Sequence, residues 1–110
     1  MAKDDYFVIV YQVLKYLYEQ LKNGQPLEVD KLTAQYYRVN DRYWYYILEN
    51  MLEQGYVKGY RSVLTKDGQV FLGLECTVIT PKGIEYLFDN SLMEKVKRTL
   101  KGIKDMTPML

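Results

Sequence analysis

Residues 57–80 read VKGYRSVLTKDGQVFLGLECTVIT, and the fold turns on how this stretch is read. Two segments rich in β-formers, 57–64 and 69–80, flank TKDG, a turn sequence whose glycine reaches a positive φ at little steric cost. The stretch therefore predicts a β-hairpin. In its second arm Val70, Leu72, Leu74, Cys76 and Val78 alternate with Phe71, Gly73, Glu75 and Thr77, which is a strand's period of two. An all-helical bundle leaves that alternation unexplained.

Upstream of the hairpin lies NDRYWYYILEN, residues 40–50, with four aromatic rings in succession. Asn40 is suited to cap a helix over 41–54, because its short side chain can accept from an amide one turn in. Successive residues on a helix point about 100° apart, so the four rings do not form one stacking platform. Trp44, Ile47, Leu48, Met51 and Leu52 fall on the inward side. Arg42, Tyr43, Tyr46, Glu49, Asn50 and Glu53 fall on the outward side with Tyr45 at the boundary, and Gly55 supplies the stop.

Further upstream, Phe7, Val10, Leu14, Leu17 and Leu21 recur at spacings of three and four, predicting a first helix over 5–22 that NGQP ends. Asp30 is the expected cap of a short second helix over 31–37, with Leu32 inward. Downstream of the hairpin, Thr80-Pro81 reads as a cap followed by proline at the first helical position, opening a helix over 81–89 that buries Ile84, Leu87 and Phe88. Ser91 and Glu94 make an S-x-x-E capping box, which starts a last helix over 92–104.

At 110 residues the chain fits one domain, 1–110, in which 91–110 is a helical extension. Helix, helix, helix, hairpin, helix is the order of a winged helix-turn-helix, an α+β fold. Catalysis finds little support. The chain has no histidine, so neither a histidine-based triad nor a histidine metal site can form, and its single cysteine makes no zinc cluster. Cys76 is expected as a small core residue on the apolar side of its strand. No glycine-rich phosphate loop follows a strand, and no cofactor is called for. The expectation is a non-enzymatic binding protein.

The opening MAKDD lacks the pattern of a secretory leader, and a single cysteine makes no internal disulfide, so a cytoplasmic location is expected. No apolar run approaches the ~20 residues of a membrane span. A net charge of +1 gives no global attraction to nucleic acid, so any such binding rests on local patches.

Three blocks, NDRYWYYILENMLEQGYVKG, ITPKGIEYLFDNSLM and LKGIKDMTP, resemble the small bacterial YjcQ family, found in Gram-positive genomes and their phages or mobile elements. The resemblance covers nearly the whole chain. It implies a winged-helix fold with a DNA-binding or regulatory role, and supplies no catalytic or binding residues to carry over.

If the third helix enters the major groove of double-stranded DNA, its outward side presents Arg42 to read guanine, Tyr43 and Tyr46 to meet phosphate or sugar, and Asn50 further along. On the hairpin, Lys58, Arg61 and Lys66 outnumber Asp67 and offer charge to phosphate. One fact opposes this. Residues 40–54 carry Arg42 against Asp41, Glu49 and Glu53, a net charge of −2. The alternative is a protein-interaction module that uses the same acidic, tyrosine-rich face. In the last helix Met93, Val96, Leu100 and Ile103 form a narrow apolar seam, and residues 91–110 carry a net +3. That seam either packs back on the first helix or joins a second copy, while a membrane role lacks a broad apolar face.

Overall fold

The computed structural model describes residues 5–102 of the chain. Helix α1 (Asp5–Asn23) buries Ile9, Val10, Val13, Leu14 and Leu17 along one stripe, the face that its spacing of three and four dictates. Leu21 was expected on that stripe and is exposed instead, because 21–26 all lie beyond the edge of the core. Gly24, at φ 67°, closes the helix.

The second helix is shorter than its sequence suggests. Asp30 does not cap it but sits in a 3-10 turn, Val29–Lys31. The cap is Thr33, whose Oγ1 accepts from the Tyr36 amide at 3.1 Å, so α2 spans Ala34–Tyr37. Leu32 is buried as expected, and Arg38, left-handed at φ 61°, ends α2.

Helix α3 (Asp41–Glu53) starts where expected, with Asn40 Oδ1 accepting from the Tyr43 amide at 2.8 Å. Trp44, Ile47, Leu48 and Met51 are buried in the common core, and the Tyr37 ring stacks on Trp44 at 5.2 Å. Gly55, at φ 79°, terminates the helix.

The hairpin departs most from expectation. Instead of two continuous arms there are two antiparallel pairs: β1 (Val57–Lys58) with β4 (Val78–Ile79), and β2 (Arg61–Thr65) with β3 (Gly68–Leu72). Between them the outbound arm uses two residues and the return arm five, and the surplus folds into a 3-10 turn at Leu74–Cys76. At this neck the backbones touch. A Cβ on Gly59 (φ 112°) would lie 2.1 Å from the Cys76 carbonyl oxygen, and one on Gly73 (φ 86°) 2.8 Å from that of Gly59. Only glycine fits both the approach and the dihedral.

Because the turn interrupts the strand, the alternation does not persist through it. Cys76 is exposed rather than a core residue. In β3 the inward residue is Phe71, against the Tyr45 and Tyr60 rings at 5.4 and 5.7 Å, while Leu72 is exposed. Leu72 and Cys76 of the expected apolar face thus turn outward, while Leu74 stays half-buried against the core.

Thr80 opens α4 (Pro81–Asp89) by accepting from the Gly83 amide at 3.0 Å, and its hydroxyl donates to the Gly55 carbonyl, joining the ends of α3 and β4. Leu87 is buried and Ile84 half-buried, but Phe88 is half exposed, with its ring edge-on to Tyr18 at 5.2 Å. Helix α5 (Ser91–Gly102) begins a residue earlier than expected. Its cap is therefore Asn90, whose Oδ1 accepts from the Leu92 and Met93 amides at 2.9 and 3.2 Å, and not Ser91. Met93 and Val96 are buried, and Leu100 is half-buried against the core where α5 packs on α1 and α4. Met93, Val96 and Leu100 of the expected seam thus pack on the chain's own core, and Ile103 lies outside the described residues. The fold is α+β, with one core between the helices and the β2–β3 ribbon projecting from its side.

Candidate nucleic-acid interface

The α2–α3 turn, the outer side of α3 and the ribbon form the surface that the sequence points to. Packing of Trp44, Ile47, Leu48 and Met51 fixes the rotation of α3, which leaves Arg42, Tyr46, Glu49 and Glu53 exposed. The ribbon is oriented by two contacts. Phe71 lies on Tyr45 of α3, and the buried Tyr60 hydroxyl donates to the Leu48 carbonyl at 2.6 Å.

Lys58, Arg61 and Lys66 are all exposed, and among the described residues neither they nor Arg42 has a carboxylate within 4.0 Å. Four cations therefore stand free to meet an anion. The outer side of α3 also holds acid. Asp41, Glu49 and Glu53 are exposed and equally unpaired, as the net charge of this helix anticipated.

Two expected contact residues are less available than their helical positions suggest. The Asn50 Nδ2 donates to the Tyr46 carbonyl at 2.8 Å, which engages a group that would otherwise meet a base edge. Tyr43 is half-buried, and burial first, then the Asp5 carboxylate and Tyr46, raises its phenol above the ordinary range. Tyr46 remains outward, 58% exposed, with the Tyr6 ring at 6.0 Å.

Sequence reasoning missed Tyr6, because the first-helix pattern marks apolar spacing and says nothing of which rings a second helix brings alongside. Its phenol is pushed up to about 12 by burial first, then by Tyr46, Tyr86, Tyr56 and Tyr43. Tyrosines from α1, α3 and α4 thus gather with Tyr56 at one side, where the Tyr56 and Tyr86 rings stack at 4.3 Å. The signal in the sequence is the count of 12 tyrosines, residues whose rings bury well while their hydroxyls seek contacts. Arg38 and Lys82 were also missed; Arg38 is exposed just before the α3 cap, and Lys82 lies 5.9 Å from the Tyr56 ring.

Other chemistries gain no site. Among the described residues no group of three or more histidine, cysteine, aspartate or glutamate side chains is placed to hold a metal ion. No described helix is long and apolar enough to cross a membrane.

The geometry defines a small α+β chain with a cation-bearing ribbon beside an exposed helix. A family model described as YjcQ protein matches residues 11–106, and the chain belongs to the YjcQ family. No curated protein and no solved structure matches it.

Proposed function

We propose that the chain is a winged helix-turn-helix protein that binds double-stranded DNA, with α2–α3 as the helix-turn-helix and the β2–β3 ribbon as the wing. The observation that carries this reading is the set of unpaired cations, Lys58, Arg61 and Lys66, on and beside a ribbon anchored to α3. Their role is to neutralise phosphate, the source of most sequence-independent affinity. Arg42 is the base-reading candidate, since a guanidinium in the first turn of a groove-entering helix matches the two acceptors of guanine. Tyr46 reaches phosphate or sugar, while Tyr43 and Asn50 serve mainly to hold the helix surface in shape.

The test is fluorescence anisotropy of a labelled duplex across a salt series. Binding should weaken linearly in log salt, and Arg61→Glu with Lys66→Glu should reduce the slope by roughly one for each phosphate no longer neutralised. A flat response at micromolar protein, together with no enriched site in a genomic pull-down, would sink the reading.

A second reading rests on the unpaired Glu49 and Glu53 beside Tyr46: the same face takes a basic protein segment. Glu49→Lys with Glu53→Lys separates the two. The change should tighten DNA binding if that face lies near phosphate, and should weaken capture of a basic protein partner in the other case.

A further inference from the structure

Away from α3 and the ribbon, helices α1, α4 and α5 enclose a cleft of about 210 Å³. Its apolar wall is Leu87, Phe88 and Tyr18, and its polar groups come from Tyr11, from Lys15 and Glu19 on α1, and from Glu94 and Lys97 on α5. Four features mark it as a built site.

The first is Tyr11, which is only 7% exposed yet lines the cleft, and whose hydroxyl makes no hydrogen bond among the described residues. The ring is buried while the hydroxyl itself is reached by solvent in the cleft, so it is available to a ligand. The second is the arrangement of charge. Lys15 and Glu19 pair with each other at 3.5 Å, whereas Glu94 and Lys97 have no ion-pair partner within 4.0 Å among the described residues. One free carboxylate and one free ammonium therefore stand a turn apart on the same wall.

The third is Phe88, half exposed beside the Tyr18 ring where the amphipathic pattern of α4 expects burial. Its uncovered ring gives the cleft an apolar floor. The fourth is proximity. Glu19 and Glu94 line the same cleft as Tyr11, and after burial they raise its phenol further.

We infer that this cleft binds a free apolar α-amino acid, its ammonium held by Glu94 and the Tyr11 hydroxyl, its carboxylate by Lys97, and its side chain on Phe88 and Tyr18. Charge selects this class. The lining sums to zero, with a carboxylate and an ammonium free, which suits a zwitterion better than a simple anion or cation. Size agrees, because pockets for drug-sized ligands run from about 300 to 1,000 Å³ and this cleft is smaller. A peptide end offers the same groups one at a time: an N-terminus lacks the neighbouring carboxylate, and a C-terminus lacks the ammonium.

The experiment is a titration of the isotope-labelled full chain with L-phenylalanine to about 10 mM, enough to fill a site of ~1 mM Kd, followed by amide chemical shifts. L-phenylalaninamide and N-acetyl-L-phenylalanine serve as the arms lacking one charge. Shifts confined to the cleft residues are expected, with each analogue binding at least about tenfold more weakly. Tyr11→Phe should weaken L-phenylalanine roughly tenfold while the thermal midpoint stays in place, since the ring is kept. Lys97→Gln, at a partly exposed position, should weaken L-phenylalanine but leave the amide unchanged. The assignment is overturned if no cleft residue shifts with L-phenylalanine, if either analogue binds as tightly, or if Lys97→Gln affects both ligands alike.

Discussion

Helix α3 and the β2–β3 ribbon present the same surface but are held in place by different means. The helix is seated by side chains: Trp44, Ile47, Leu48 and Met51 are almost wholly buried, and their spacing alone sets which residues face out. The ribbon is seated by backbone. Its direction comes from a neck where Gly59 and Gly73 let the two arms touch, and its main side-chain attachments are Phe71 and Tyr60. A side-chain seat tolerates modest substitution because neighbours relax around it, whereas a backbone contact has nothing to give. The helix should thus carry most of the stability and the ribbon most of the geometric sensitivity.

The largest expected effect tests the first half of that contrast. Trp44→Ala removes a ring that is 3% exposed and stacked on Tyr37, and should cost about 3–5 kcal/mol in urea unfolding. Loss of so much from one transition, with the whole chain melting together, is the signature of a common core. A cost below about 1 kcal/mol would show that α3 is not its keystone.

A smaller effect tests the second half, using two glycines of similar dihedral. Gly59 has φ 112° with a carbonyl oxygen where its Cβ would fall, while Gly68 has φ 117° with nothing within 4 Å. Gly68→Ala should cost about 1 kcal/mol for the dihedral alone, and Gly59→Ala at least ~2 kcal/mol, because the dihedral and the collision add. Thermal unfolding measures the difference. Equal costs would mean that the neck opens freely, and the ribbon would then be poorly placed to act beside α3.

The same contrast explains what could be read from the sequence. α3 was legible because its burial repeats at helical spacing and its cap, Asn40, is local. The hairpin's existence was legible in TKDG and in the β-formers around it, but its phase was not. Three surplus residues on the return arm coil into a 3-10 turn, so the apolar alternation of Leu72, Leu74 and Cys76 runs through a break that no local residue announces. The close approach at Gly59 and Gly73 was not read from the sequence, since it is set by pairing at long range. The candidate cations were legible as exposed hairpin residues. The meeting of Tyr6 with Tyr46 was not, since it joins α1 to α3 through packing alone.

The smallest effect concerns a single hydrogen bond from the neck to α3. Tyr60 is 5% exposed, and its hydroxyl donates to the Leu48 carbonyl at 2.6 Å. Tyr60→Phe keeps the ring against Phe71 and removes only that bond, so it should cost about 1 kcal/mol near neutral pH. Alkaline titration sharpens the result. Burial pushes the Tyr60 phenol well above its ordinary value of about 10, so the folded chain holds the proton more tightly than the unfolded one. Its contribution is fully present below about pH 10 and fades as pH rises toward the folded value, because ionisation then favours unfolding. Wild-type stability should therefore fall more steeply above pH 10 than that of Tyr60→Phe, and the gap between them should close. Parallel curves would mean that this hydroxyl does not hold the ribbon to the helix, and the backbone at the neck would then carry that attachment with Phe71 alone.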